Sequence, residues 1–374
     1  MAQEQSISGI AAVEEEKLSI AGPWTLMWWR FRKHKMAMAS VVVIALFYLV
    51  AIFADFLSSD LPTHSDEHFN YLPPQGVHWF DGGFNPHVYE VTSNLDLATF
   101  KKAYGVNQEV KLPVSFFGHG YEYKFLKLIP TDRHLIVVET DDGPRAPFLL
   151  GGDEFGRDLL TRILHGTRIS LTIGLVGVSL SIVLGVTLGG LSGFYGGIID
   201  TVVQRLIEIL RSIPTIPLWL ALAASLPRDW SINKIYLAIT IILSLYAWTE
   251  LARVVRGRFL AMREDDFIMA AKLAGASDVR IIFRHMVPNF ASHLIAAATL
   301  AVPFMIISET ALSFLGLGLV PPAISWGVLL KSAQNVQTVA LYPWLMLIAV
   351  PVIVAVLAFN FVGDGLRDAA DPYG

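Results

Sequence analysis

The chain has 374 residues, 54% of them hydrophobic and 16% charged, with a formal net charge of −4 and no cysteine; its mean hydropathy is +0.53. Soluble domains carry about a quarter of their residues as charges, so this composition excludes an ordinary soluble enzyme. The acidic balance leaves no basic surface for nucleic acid, and the missing thiols exclude disulfides, thiolate metal sites and cysteine nucleophiles.

Residues 1–35 read as a polar N-terminal segment on the cytoplasmic side. It carries Glu14, Glu15 and Glu16 and ends in a basic patch of Arg30, Arg32, Lys33 and Lys35, with no cleavable signal pattern. The apolar run at 36–56 contains only Asp55 as a charge. It is long enough to cross about 30 Å of hydrocarbon at 1.5 Å per residue, and Trp24, Trp28 and Trp29 stand where an interfacial belt would lie. Residues 57–150 are rich in Pro, Asp, His, Gly and aromatics. Runs such as Val114–Phe117 and His134–Glu139 predict a small β-rich extracytoplasmic insertion. Its core is expected from Trp79, Phe80, Phe84, Tyr121, Tyr123 and Phe125. His64 to His68 fits a His-x-x-Glu-His zinc pattern, but the surrounding prolines speak against the helix it needs, so a solvated loop without metal is expected.

Residues 151–374 contain five further predicted spans, giving an all-α polytopic membrane protein of six transmembrane helices with the β-rich insertion. They lie near Ile169–Leu191, Asp200–Ser225, Ile232–Thr249, Phe290–Phe314 and Tyr342–Val362. The third is charged in its first half and interrupted by Pro214 and Pro217, which spans tolerate where helices pack or line a cavity. Arg157, Asp158, Arg162 and Arg168 precede the second span as a belt helix, with Asp158 and Arg162 expected as a surface pair at four-residue spacing. Glu309 lies inside the fifth span. An intramembrane carboxylate is expensive, so Glu309 is expected to pair with a neighbouring helix or reach the outer interface, with a place in the pathway or a gate as the alternative reading. Arginine and lysine crowd the segment before the first span and the loop after the fourth, which places both, and both termini, in the cytoplasm.

That loop, 250–288, is too ordered for a plain connector. Acidic residues 264–266 suit a helix N-terminus, and Phe267, Ala270, Ala271 and Ala274 recur at i, i+3, i+4 and i+7. Gly275 and Ser277 punctuate, a second helix is expected over Asp278–Met286, and Pro288 opens the next span. A helix faced with alanines permits close backbone approach to a partner; the alternative is a helix lying on lipid headgroups.

The stretch resembles the EAA motif of ABC importer permeases, reading Met269-Ala270-Ala271 with Gly275 and Pro288 at the family's spacing and Met269 in place of glutamate. Gly152-Asp-Glu-Phe-Gly-Arg-Asp158, Gly193-Phe-Tyr-Gly-Gly197, the run from Glu309 to Gly318, Pro321-Pro322 with Ser325-Trp-Gly327, and the tail from Gly363 to Pro372 are likewise similar to the second permease subunit of dipeptide, oligopeptide and nickel importers. The resemblance implies the type I importer fold and a plasma-membrane location in a bacterium or archaeon. It implies a homologous second permease, two ABC ATPase subunits and an extracytoplasmic solute-binding protein as partners. The cargo it implies is a peptide, with an oligosaccharide, an opine or nickel as alternatives. No Gly-x-x-x-x-Gly-Lys-Ser/Thr phosphate loop occurs, so the chain is read as a permease and not an enzyme, with no cofactor of its own and with ATP and magnesium held by partners. The residues expected to meet the ATPase are Ala270, Ala271, Gly275 and Ala276 by close packing, Arg263, Asp278 and Arg280 by polar contact, and Pro288. A membrane enzyme with its site in the insertion is the competing class.

Overall fold

The structure, a computed structural model, describes residues 22–96, 101–126, 128–227 and 229–370. Most of the N-terminal segment and the last four residues of the chain, which include the final two of the tail motif, therefore lie outside the described residues. Helix α1 (Pro23–Lys33) leads through His34 into α2 (Lys35–Ile52), where the His34 ring accepts the Ala37 amide at 3.1 Å and caps the helix. The α2 sequence is almost wholly apolar. Its Val42, Leu46, Leu49 and Ile52 remain exposed, as lipid-facing positions would be. A short turn, α3 (Ala54–Leu57), ends the segment.

Helix α4 (Leu159–Tyr195) begins ten residues before the span read from hydropathy. Asp158 is its N-cap, accepting the Thr161 amide at 2.7 Å. Arg162 and Arg168 thus lie within the long helix and form no separate belt. Helices α5 (Gly197–Ser212) and α6 (Thr215–Ala224) meet at 87°, at the Pro214 break. Helix α7 (Ile232–Met262) outruns its expected end at Thr249. Arg253, Arg256 and Arg258 therefore ride on its last turns, and the loop proper starts at Arg263. Three short helices, α8 (Asp266–Leu273), α9 (Asp278–Arg280) and α10 (Val287–Asn289), lead to α11 (Ala291–Phe314), and α12 (Trp326–Ser332) and α13 (Val336–Leu341) lead to α14 (Ala349–Ala370), which completes the bundle. The last helix continues through Gly363 and Gly365, so the tail motif extends the span as helix up to Ala370. Among the described residues, five helices are long and apolar enough to cross a membrane, and α5 with α6 form one bent pair that passes the same test.

Glycines set the tightest approach. A Cβ at Gly185 would sit 2.9 Å from Leu251, one at Gly189 would strike the Ala252 carbonyl, and one at Gly193 would lie 2.7 Å from the Arg256 carbonyl. This four-residue repeat lets backbones pack without intervening side chains. The paired numbers rise together, so α4 and α7 run parallel. Helix α11 runs antiparallel to α4, with Gly174 against Val302 and Ile306 and Ser170 bonded to Glu309.

Between α3 and α4 lies the β-rich segment. Strands β1 (His78–Phe80), β2 (Phe84–Asp96), β3 (Lys101–Phe116), β6 (Ile136–Thr140) and β7 (Gly143–Arg145) form one antiparallel sheet in the order β1-β2-β3-β6-β7. Strands β4 (His119–Phe125) and β5 (Ile129–Arg133) form a separate hairpin. The two runs recognised in the sequence pair with each other, Val114 opposite Val138. The core differs from expectation. Val88, Val114 and Val138 form one cluster and Leu72, Ala146 and Phe148 another, while Trp79, Phe80 and Phe84 are exposed. Those aromatics occupy an edge strand and its turn, where they stack on one another and on Phe116.

Candidate functional site: the α7–α11 loop and the polar anchors of the bundle

The loop is rooted in an ion pair. The Arg256 guanidinium on α7 forks onto Asp200 in the first turn of α5, at 2.5 and 2.6 Å, and the Ser192 hydroxyl donates to the same carboxylate at 2.5 Å. A bidentate, charge-assisted pair of this kind fixes orientation as well as distance. It joins the ends of α4, α5 and α7 at the loop end of the bundle. Sequence reasoning missed it, because Arg256 counted there only as one loop charge among many.

Beyond the root, Arg263 caps α7 and pairs with Glu264 at 3.4 Å. Helix α8 (Asp266–Leu273) follows and turns back through Gly275 at φ +77°. The Ala276 amide bonds the Ala271 carbonyl and the Gly275 amide the Lys272 carbonyl, both at 3.0 Å, a glycine-terminated helix end of the Schellman type. Glycine is required there because a side chain would be strained at positive φ. Lys272 lies over the Phe194 ring at 5.3 Å, bracing the loop against α4.

The buried face of α8 is not the one the alanine pattern suggests. Ile268 is fully buried against Val255, Phe259, Ile281, Ile282, Met286 and Phe290, with Ala271 and Ala276 half-buried beside it. Phe267, Ala270 and Ala274 point away, together with Met269 and Leu273, the last 88% exposed. Ala271 and Ala276 thus pack on this chain, while Ala270, Gly275 and Arg280 are presented outward and the exposed Asp278 takes a side-chain hydrogen bond from Tyr195 at the end of α4. Among the described residues, none beyond its chain neighbours lies within 4 Å of a Cβ built at Gly275. The second helix is also not regular. One turn, α9 (Asp278–Arg280), passes into a π-helical stretch over Ile281–Met286 and then into α10 (Val287–Asn289). Pro288 lies exposed in α10, and the span proper begins at Ala291.

At the opposite end of the bundle, Glu309 is completely buried. Its carboxylate accepts the hydroxyls of Ser325 at 2.7 Å, Ser313 at 2.8 Å and Ser170 at 3.2 Å. Each serine oxygen in turn accepts a backbone amide: Trp326 on Ser170 at 3.1 Å, Leu319 on Ser313 at 3.0 Å, Val328 on Ser325 at 3.3 Å. One carboxylate therefore ties α4, α11, the 315–325 connection and α12. Nearby, the expected Asp158–Arg162 surface pair is absent. Both residues are buried, and Arg162 pairs with Asp153, which also holds Arg157 at 2.7 Å. Asp158 instead caps α4, and burial pushes its carboxyl up to about 6 against the opposing Thr161 hydrogen bonds. Asp55, just past α2, binds His165 at 3.1 Å and Arg168 at 2.9 Å. These hydrogen bonds, the His165 one first, hold its carboxyl well below the usual range. In the insertion, His64 bonds Asp60 and His68 bonds Asp66, each with its own carboxylate neighbour.

Comparison with known proteins agrees with this architecture. Residues 185–373 match the family model for the binding-protein-dependent transport system inner membrane component. Residues 22–74 match the N-terminal TM domain of oligopeptide transport permease C. The dipeptide transport system permease protein DppC of Alkalihalophilus pseudofirmus is 30% identical over 360 residues, covering 96% of this chain and 92% of the relative. DppC of Lactococcus lactis is 32% identical, with 92% and 89% covered. The oligopeptide transport system permease protein OppC of Bacillus subtilis is 34% identical over 63% of this chain and 75% of its own length. The chain belongs to the family of binding-protein-dependent transport system inner membrane components, the permease subunits of ABC importers.

Proposed function

We propose that this permease forms half of a peptide translocation pathway and that α8 receives the stroke of a separate ATPase. The observation that carries the coupling role is the outward face of α8. Phe267, Ala270 and Ala274 are apolar, small except for the first, and exposed among the described residues, while Ile268 and the half-buried Ala271 and Ala276 bolt the helix onto α7 and the π-helical stretch. A helix fixed on one side and bare on the other transmits a push instead of absorbing it. Asp278 and Arg280 flank the bare face, and Arg263 and Pro288 bound the loop. Peptide as cargo is supported by the names of the relatives, each a dipeptide or oligopeptide permease. A second, homologous permease, two ATPase subunits and a solute-binding protein complete the assembly in this reading.

Six crossings are supported by the parallel alignment of α4 and α7, because the chain has to return across the bundle between them. The insertion then faces outward, and the α8 loop and both chain ends face the cytoplasm. Glu309, at the outer end, acts as a latch that gathers α4, α11 and α12 and has to loosen when that end opens.

Ala270→Trp tests the coupling role. The position is exposed and helical, so the chain should fold, whereas Gly275→Trp would be strained by its own backbone. In the assembled transporter the indole should overpack the ATPase groove by about 1–3 kcal/mol, cutting dipeptide uptake about tenfold or more and weakening co-purification of the ATPase. Ala270→Ser should behave as wild type. Unchanged uptake and ATPase stimulation in the tryptophan variant would rule out α8 as the dock.

A further inference from the structure

We propose that the aromatic end of the five-stranded sheet, formed by Trp79, Phe80, Phe84 and Phe116 with Phe117 beside it, is a membrane-interface contact that rests on the lipid headgroups next to the first span.

Strand pairing puts these residues at one level. Phe80 on β1 pairs with Phe84 on β2. The His87–Pro113 register of β2 and β3, continued to the strand ends, sets Phe84 opposite Phe116, and Phe116 pairs with Ile136 on β6. Trp79 stacks on both Phe84 and Phe116, with ring centroids 6.5 and 6.2 Å away. With strands about 4.8 Å apart, the row runs about 10 Å sideways from β3 to β1.

This end of the sheet is tied to the end of the first span. The Leu135 amide donates to the Phe56 carbonyl at 2.8 Å, the Ser59 hydroxyl donates to the Ile136 carbonyl, and Phe117 packs on Phe56 with ring centroids 6.0 Å apart. The other end is fixed further out. Tyr104 on β3 donates to the Asn70 carbonyl at 2.6 Å, and the nearby Leu72 carbonyl takes the Gly152 amide at 2.8 Å, shortly before α4 starts. Asp55 meets α4 only at His165 and Arg168. At 1.5 Å per residue, the start of α4 therefore stands about 10 Å beyond the end of the first span. Strand β3 descends from Tyr104 to Phe116 toward the bilayer, and the aromatic row is the membrane-facing end of the sheet.

Where the row begins says what covers it. Leu49, Ile52 and Phe56 are three and four residues apart on a chain whose helical hydrogen bonds continue through Phe53 and Leu57, so they share a face. Leu49 and Ile52 are exposed on it, the side of α2 that meets lipid. Phe117 extends that side from Phe56 and is itself exposed, as are Phe116, Phe84 and Phe80, the last at 77%. Phe84 and Phe116 also continue the sheet face on which Val88 and Val114 are buried. Among the described residues, the cover over those valines stops short of the rings. The Asp81–Lys111 ion pair beside the β1–β2 turn sets the depth. Charges are costly in hydrocarbon, so the rings reach the interface, where aromatic side chains collect, and go no deeper.

The chain has no cysteine, so one introduced thiol reports one place. Gly83, in the β1–β2 turn, has open space around its Cβ and no left-handed φ, so a nitroxide on Gly83→Cys leaves every ring in position. The label is read in the assembled transporter, in nanodiscs of phosphatidylethanolamine and phosphatidylglycerol. Its oxygen-to-nickel-chelate collision ratio should lie several-fold above that of Val106→Cys, exposed on β3 toward Tyr104, and below that of Leu49→Cys in the span. A ratio equal to the one at Val106→Cys would overturn the proposal. Protection from both reagents would overturn it too, by making a partner subunit the occupant. Phe80→Ser combined with Phe84→Ser, read at the same label, should bring the ratio down to the Val106→Cys level. A ratio that stays high there would mean that something other than the rings holds the sheet down, and would equally sink the proposal. The readout depends on neither cargo nor ATP, so it is separate from the coupling role of α8.

Discussion

Asp200 and Glu309 are both carboxylates within helical segments, yet their partners differ in kind. Asp200 meets a guanidinium and keeps its geometry through two charge-assisted bonds. Glu309 meets only hydroxyls, each of which already accepts a backbone amide. Such bonds are individually weak and exchangeable, which suits a junction that opens and closes. Glu309→Ala leaves three buried hydroxyls without their acceptor, at about 1–3 kcal/mol each in the worst case, and should reduce uptake about tenfold or more when normalised to the transporter present in the membrane. Glu309→Gln keeps an acceptor oxygen and should retain most of it. Wild-type uptake in the alanine variant would remove Glu309 from the latch. The sequence marked Glu309 as expensive but could not supply its partners, since Ser170 lies on another helix and its hydroxyl carries no hydropathy signal. The same limit split the alanines of α8. A single buried Ile268 decided which side faces the bundle, and the i, i+3, i+4 pattern of smaller residues tracked the open side.

Element lengths follow from how charge is neutralised and not from hydropathy alone. A hydropathy window stops α7 near Thr249 because Glu250, Arg253, Arg256 and Arg258 follow. The helix continues because Arg256 is paired with Asp200 and Arg211 reaches Glu250. The N-terminal end of α4 is likewise a helix because Asp158 caps it and Arg162 and Arg168 find carboxylates on neighbouring segments. The span centres were legible and the ends were not, since those ends depend on ion pairs between distant segments. What the α4–α7 pair requires of its sequence is small residues at one face. Gly189→Ala places a methyl on the Ala252 backbone carbonyl, which no rotamer change relieves, and should destabilise by about 1–3 kcal/mol. Gly257→Ala, in the same helix pair but with open space around it, should stabilise α7 by about 0.5–1 kcal/mol. Thermal unfolding midpoints in detergent should therefore move in opposite directions. A shift of the same sign in both would mean that helix propensity, and not the close approach, governs these glycines.

At the scale of the whole molecule, the arrangement turns on the bent pair between two parallel helices. If α5 and α6 dipped into the membrane and returned to the same side, α7 would start where α4 ends and the two would pack antiparallel. The contacts run the other way, from Gly177 beside Ser244 to Gly193 beside Arg256. The sequence predicted six crossings from its apolar runs, with loop charge setting their orientation, although it gave no sign of the 87° break or of which helices would lie parallel. The insertion was legible as β-rich, but its core was not, because exposed aromatics and buried valines exchange places when an edge strand is left uncovered. Cysteine accessibility tests the topology directly in a chain with no background thiol. Ser231→Cys, exposed at the start of α7, should react with a membrane-impermeant maleimide in intact cells. Leu273→Cys, at the end of α8, should react only after the membrane is opened. Labelling of both from the same side would show that α7 does not cross, and a reversed pattern would place the α8 loop outside, beyond the reach of any cytosolic ATPase.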